Sequence, residues 1–595
     1  MDIENKLKSG IVSAIQSLEI EVEESKVVLQ QTKKEFAGDF TFVVFPYVKQ
    51  AKMAPPQLAE KLGEHIKNVV DEVGGYNVVQ GFLNIELETK QWTSVLTSIL
   101  AQENYGQHAT NGQNIMVEYS SPNTNKPLHL GHLRNNFLGF SIAQVLKENG
   151  YHTIMANLVN DRGIHICKSM LAYEKFGNNE TPTSANMKGD HLVGKYYVKF
   201  DVEYKKEIEA LVAKGLKEEE AKKEAPLLKE AQAMLKKWEE GEEETVALWA
   251  KMNNWVYDGF NATYKRIGVS FDQYYYESNT YLLGKDMVEE GLEKGTFYKK
   301  EDHSVWCDLS DEGLDEKLVL RGDGTAVYMT QDMGTADLKY KDHSIDKSVY
   351  VVGNEQDYHF NVLQKIAKKL NRPYADGIYH MSYGMVDLPS GKMKSREGTV
   401  VDADDLISEM VATAKQRTQE LGKIDGFTEE EANTLYLQLA LGAIKYYILK
   451  VDPRKRMLFN PSESIDFQGN TGPFIQYTHA RITALLRKAS SSGIQYTSIE
   501  NPETITLHET EVNVIALLND FPKVLKEAGN HYAPSSVANY VYSLAKEFNR
   551  FYQELPIFRD VDEETQQFRV AFCYAVARTI KKSLALLGIE APERM

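Results

Sequence analysis

His129-Leu130-Gly131-His132 lies where a short apolar strand, Ile115 to Tyr119, has passed through a Ser/Pro/Asn loop and enters a helix. The helix is read from its spacing, because Leu130, Leu133, Phe137, Ile142 and Val145 recur with helical periodicity. Gly150 stands where such a helix should stop. First-turn amides have no partner within a helix and the dipole is positive there, so this strand–turn–helix junction suits a phosphate. Two imidazoles three residues apart share one face of that turn and can donate to phosphate oxygens. Gly131 between them lets a ligand ring approach the backbone. The same residues would also fit a surface pair or half of a zinc site. Zinc is the weaker reading, because Cys167, Cys307 and Cys573 are scattered and form no CxxC or Cys/His knuckle. No protein-held metal is expected.

A second constellation follows the strand IYHMSYGMV and a Leu-Pro-Ser turn. The run SGKMKSREGTVV carries Lys392, Lys394 and Arg396 in a Gly-flanked loop. Such a loop can close over a triphosphate and neutralise charge as pyrophosphate departs. Alone, it would be an ordinary basic surface loop.

The elements that must position these groups are legible in outline. Residues 1–110 begin with an amphipathic helix (Ile11, Ile15, Leu18), then FAGDFTFVVFPYV as strand and turn, a helix from Pro56 to Val70, and the strand VVQGFLNIEL. Gln102 to Asn114 reads as a polar linker. Residues 111–401 alternate strands (IMVEY, YHTIMANLV, SVYVVG, IYHMSYGMV) with helices, which predicts a parallel sheet with a ligand at its carboxyl ends. A Lys/Glu-rich stretch, about 186–260, interrupts this unit and reads as an inserted helical hairpin broken near Pro226. Residues 402–595 read as an all-helical domain.

The bulk composition is that of a soluble globular chain of several domains, with 595 residues, 42% hydrophobic and 26% charged. No apolar run approaches a membrane span, MDIENKLKSG lacks a signal core, and three cysteines suit a reducing cytoplasm. A net charge of −17 argues against a generally basic nucleic-acid binder, but phosphate binding needs only a local basic surface.

Taken together and in order, HLGH and GKMKSREG resemble the HIGH and KMSKS signatures of class I aminoacyl-tRNA synthetases. The second lysine position of KMSKS holds Ser395. Arginyl-tRNA synthetases often depart there, and in them a lysine just upstream of HIGH can take over; Lys126 stands in that place. SSPNTNKPLHLGHLRNN, SFDQYYYESNTY, TAVYMTQDMGTA, VVGNEQDYHF, GNTGPFIQYTHAR and LGIEAPERM also resemble that family, so the resemblance spans essentially the whole chain. It implies a Rossmann-like α/β catalytic domain, an α+β N-terminal domain that contacts tRNA, and a helical anticodon-binding domain.

A guanidinium is planar and permanently charged, so its pocket calls for carboxylates in fixed positions. The resemblance places Glu277 and Asp332 there with Tyr328 alongside, and Ser121, Asn123 and Gln356 at the substrate's other end. It implies catalytic roles for His129, His132, Lys126, Lys392, Lys394 and Arg396. ATP contacts would come from Leu130, Gly131, His359, Met385, Met393 and Ser395. Tyr477, His479 and Arg481 would lie on a helix near the tRNA, with Met595 in the tail also approaching it. The resemblance further implies that ATP enters with Mg2+ as a substrate complex, that L-arginine and tRNA(Arg) are the partners, and that activation requires bound tRNA. The chain is read as a cytoplasmic monomer. Another class I synthetase, a small nucleotidylyltransferase with the same HxxH fold and a non-catalytic tRNA-binding paralogue remain the alternatives.

Overall fold

The computed structural model of the chain describes residues 3–33, 35–389, 401–422 and 424–595. It divides into two compact units, one of Met1–Tyr105, Leu485–Asp520 and Lys546–Arg578, the other of Gly106–Ala484, Phe521–Ala545 and Thr579–Met595.

In the first unit, helix Ile3–Gln16 buries Ile3, Leu7, Ile11 and Ile15. Four strands, β1 (Leu29–Gln31), β2 (Phe40–Val43), β3 (Val73–Val79) and β4 (Phe82–Leu87), form an antiparallel sheet in the order β1-β2-β4-β3. The run FAGDFTFVVFPYV yields only the short β2. Pro46 lacks the N–H a ladder needs, and the chain turns into a 3-10 helix at Phe45–Tyr47. Within the same unit Arg578 donates to the carbonyls of Gln102 and Glu103, capping the end of helix Thr89–Ala101.

The second unit is built on a five-stranded parallel sheet. β5 (Asn114–Glu118) pairs with β6 (His152–Val159), and β6 pairs with β7 (Gln273–Tyr276). A small antiparallel sheet, β8 (Phe297–Lys299), β9 (Val305–Cys307) and β10 (Lys317–Leu320), then intervenes. The chain returns on the other side of β5 with β11 (Lys347–Gly353) and β12 (Ile378–Tyr383). The order β12-β11-β5-β6-β7 reverses direction at β5, which opens a crevice beyond the carboxyl ends of β5 and β11. β7 through β10 were not foreseen. QYYY is an aromatic edge strand without alternation, and the three strands of the small sheet have only three or four residues each.

Two expectations change in detail. The inserted stretch is four helices, Gly189–Ala213, Glu218–Glu224, Pro226–Glu239 and Glu243–Ile267, rather than one hairpin. Pro226 occupies the first turn of the third, where its missing N–H has no helical partner to lose. The supposed linker before β5 is tied down: His108 N–H donates to Glu148 O and Asn111 N–H to Gly150 O. The three cysteines are free and buried, and burial pushes the Cys307 thiol up to about 11.

Gly150 ends helix Leu130–Glu148 with φ +83°, and a Cβ there would lie 2.0 Å from Ala109 O. Gly150→Ala is therefore expected to destabilise the chain by about 2 kcal/mol or more. A thermal unfolding midpoint equal to that of the unsubstituted chain would refute this.

Candidate active site

The helix opening at His129 is capped by its own histidines. His129 is the N-cap, and its Nδ1 accepts Gly131 N–H at 3.1 Å. His132 Nδ1 accepts His129 N–H at 3.2 Å, and the two rings lie 3.9 Å apart. Leu130 N–H donates to Val401 O. The expectation of unpaired first-turn amides is thus corrected: those of residues 129, 130 and 131 already have acceptors. Gly131 likewise has an internal reason, since a Cβ there would lie 2.9 Å from His129 Cε1.

This geometry fixes the chemistry of the rings. Burial, with the nearby Lys126 charge, lowers His129 to about 4. Burial, then His129 and Lys126, holds His132 well below its ordinary value. Both are neutral at neutral pH. With each Nδ1 accepting a backbone N–H, each ring carries its proton on Nε2. The pair therefore offers two neutral Nε2–H donors.

β5 delivers the chain to this helix through a strained turn, with Ser120 at φ 75° and Ser121 at φ 44°. Side chains hold it there. Ser120 N–H donates to Asn135 Oδ1 at 2.5 Å and Ser121 N–H to Asn157 Oδ1 at 3.2 Å, while Ser120 Oγ meets the Tyr264 hydroxyl. Asn135 also donates to Val351 O on β11, spanning the crevice floor.

Across the crevice, β7 ends directly at Glu277. Burial raises its carboxyl to about 7; Arg162 opposes the shift, while the charges of Asp161 and Asp332 add to it. Asp161 anchors this corner. Its carboxylate accepts Ser278 N–H (2.8 Å), Ser278 Oγ–H (2.7 Å) and the Tyr257 hydroxyl (2.8 Å), and its carbonyl accepts Trp249 Nε1–H. Arg162 lies over the Tyr281 ring at 3.9 Å and pairs with Glu239. Asp332, one turn into helix Tyr328–His343, accepts from His359 Nε2 at 2.6 Å.

The remaining predicted residues fall around the same opening. Lys126 is half-buried before His129, and Asn123 and Gln356 are exposed at the ends of β5 and β11. Met385, half-exposed, lies just past β12, where its carbonyl accepts from Arg134. Tyr328 precedes Asp332 by about one turn of the same helix. It is 78% exposed at the first position of its helix. Lys392, Met393, Lys394, Ser395 and Arg396 lie outside the described residues. Sequence reasoning missed Asp161, Asn157, Arg162 and Arg134. The available signal was positional: NLVNDRG sits at the carboxyl end of a parallel strand.

Comparison with known proteins decides what this crevice belongs to. A family model described as tRNA synthetases class I (R), catalytic domain, matches residues 95–460. The arginine–tRNA ligase of Amoebophilus asiaticus is 56% identical over 100% of both chains. The chain belongs to the arginyl-tRNA synthetase family. The arginine–tRNA ligase of Bacteroides thetaiotaomicron is 55% identical, again over 100% of both. The family's N-terminal domain model matches residues 5–87, and a DALR anticodon binding domain model matches 475–595. The same fold recurs in the arginyl-tRNA synthetases of Thermus thermophilus (TM-score 0.80, 23% identity, 100% of both chains) and Plasmodium falciparum (TM-score 0.76, 21%, 100% and 99%).

In helix Gly472–Ser491, Arg481 lies over the Tyr477 ring at 4.8 Å, both half-buried. His479, in contrast, is buried and its Nδ1 contacts Pro592 O at 3.0 Å, so it holds the tail rather than facing solvent. Met595 is half-exposed.

Glu277 supplies a test of the site's electrostatics. With its folded pKa raised from 4.5 to about 7, the folded chain holds more protons than the unfolded chain between those values, so stability falls as pH rises through that window. Glu277→Gln should therefore raise the unfolding midpoint at pH 8 and change it little at pH 5. Equal effects at both pH values would contradict the assigned shift.

Proposed function

We propose that the crevice beyond β5 and β11 performs both steps of arginine–tRNA ligation, with the neutral His129–His132 pair as its phosphate-facing element. The reaction class follows from the family. In the first step the arginine carboxylate attacks the α-phosphorus of ATP in line; the bond to the β-phosphate breaks, leaving arginyl-adenylate and pyrophosphate. In the second, the terminal ribose hydroxyl of tRNA(Arg) attacks the activated carbonyl and AMP leaves. Neither step needs an enzyme nucleophile, so catalysis is positioning and charge stabilisation.

The observation that carries this reading is the pair of fixed Nε2–H donors at the order reversal of the sheet. Donors already oriented toward a developing charge need no reorganisation when it forms. Leu130 and Gly131 line the ATP beside them, and Lys126, with Lys392, Lys394 and Arg396, balances the departing pyrophosphate. Met385 and His359 border the nucleotide. His359 also orients Asp332 by the 2.6 Å contact, which supports the arginine pocket. Glu277 and Asp332 take the guanidinium, with the exposed Tyr328 ring free to turn over it, and Ser121, Asn123 and Gln356 take the amino-acid end.

Mg2+ arrives on ATP, where hard phosphate oxygens supply its ligands. tRNA reaches the helical part of the chain near Tyr477 and Arg481, with Met595 close by. The chain is read as a monomer, and buried free cysteines fit a reducing cytoplasm. No described helix is long and apolar enough to cross a membrane.

His132→Ala is expected to leave arginine binding nearly intact while lowering tRNA-dependent ATP–pyrophosphate exchange by about tenfold or more. Near-normal exchange would remove His132 from the chemistry. Asp332→Asn should raise KM for arginine far more than KM for ATP in the same assay, and matched losses would contradict the pocket assignment.

A further inference from the structure

The inserted helices do more than present a charged surface. Lys188, just before helix Gly189–Ala213, donates to Thr263 Oγ1 at 2.6 Å and pairs with Asp190 (3.2 Å) and with Asp404. His191 Nε2 lies 3.1 Å from Asp402 Oδ2 and 3.7 Å from Asp404 Oδ2. From the last inserted helix, Arg266 donates to Asp404 O (3.3 Å) and to Ser408 Oγ (3.0 Å). Asp190, His191 and Asp404 are close enough together to suggest a cation site, but the Lys188 ammonium already lies against both carboxylates.

What these groups grip is the backbone beside His129. Leu130 N–H donates to Val401 O, Ala403 N–H donates to Leu128 O, and His129 bridges Asp402 in antiparallel fashion. Asp402 is also the N-cap of helix Ala403–Glu420, its Oδ1 accepting the amides of Asp404 and Asp405. One carboxylate thus faces the helix amides and His191 together. The same inserted helix presses on the other flank of the signature, where a Cβ on Gly194 would lie 2.9 Å from Pro127 Cδ.

We propose that Lys188 and His191 are positioning residues for adenylate formation: the insertion holds residues 401–403 in register with 128–130, and this register sets the His129 ring. The inference rests on the phosphate-facing role given to the histidine pair above. Charge supports it. With His191 protonated, Lys188, His191 and Arg266 balance Asp190, Asp402 and Asp404. Burial pulls His191 down, but Asp402 and Asp190 carry it above its ordinary value, and Asp402 is correspondingly lowered.

The test compares His191→Ala with His191→Gln, whose side-chain amide can still donate to Asp402, in the full chain with tRNA present. His191→Ala should speed hydrogen–deuterium exchange at the Leu130 and Ala403 amides and lower kcat for pyrophosphate exchange by about fivefold or more, with KM for arginine within about twofold. His191→Gln should restore most of both. Unchanged amide exchange in His191→Ala would overturn the register, and faster amide exchange with unchanged kcat would overturn its catalytic consequence. A proportional rise in arginine KM would also overturn the inference, by showing a general loosening. Failure of the parent reading is recognised separately, by normal pyrophosphate exchange in His132→Ala.

Discussion

A parallel strand can be reached only by a crossover, and crossovers are right-handed, so successive units wound in opposite directions from one central strand place their helices on opposite faces. In this chain β5 is that strand, with β6 and β7 added on one side and β11 and β12 on the other. The helices leave in opposite directions beyond β5 and β11, and nothing in the sheet can fill the gap between them. The polar ends of the strands meet there: Ser121 and Asn123 after β5, Asp161 after β6, Glu277 after β7, Gln356 after β11 and Met385 after β12. The site is a consequence of winding order before it is a consequence of any one side chain.

Within that gap, burial is the main tuning force, and its effect depends on the group. Imidazoles lose their charge when desolvated, so His129 and His132 become neutral donors. A carboxyl loses its charge as well, so Glu277 rises to about 7 and becomes a group that a cationic ligand would ionise. The Glu277 shift lowers the stability of the chain at neutral and higher pH, the histidine shifts do so only below the ordinary histidine pKa, and the left-handed pair Ser120–Ser121 adds backbone strain. Buried charged groups nearby are paired or hydrogen-bonded. Lys339 and Glu118 form a buried ion pair under the Asp332 helix, with the ammonium 4.6 Å from the Tyr350 ring. Asp161 makes three carboxylate hydrogen bonds of 2.8 Å or less.

The insertion shows two characters in one set of helices. Its Lys/Glu faces are solvated, with exposed i,i+4 pairs such as Lys205–Asp201 that contribute little. Its inward face carries Asp190, Asn253 and Thr263, all nearly inaccessible, and these side chains face the carboxyl ends of the sheet and the segment after residue 400. Composition averages the two faces, which is why the stretch reads from sequence as a charged hairpin without a task.

Local spacing was enough to locate helix Leu130–Glu148, its glycine stop, most strands of the parallel sheet and the histidine pair, because these depend on periodicity and on neighbours a few residues away. Motif order and resemblance then gave the family. Other features were not legible. The histidine tautomers depend on which backbone amides each Nδ1 meets, and the engagement of Leu130 N–H depends on Val401, 271 residues further along. Arg134 is spent on the carbonyls of Met385, Pro453 and Lys455, and Asp161 on Ser278 and Tyr257; no spacing rule links those positions. The sequence by itself determined the long periodic elements, the parallel character of the sheet and the chemical types available at its strand ends. Only the tertiary structure decided which of those groups are neutral, which are strained and which are held by the insertion, because desolvation and hydrogen bonding depend on neighbours that the chain brings together only when it is folded.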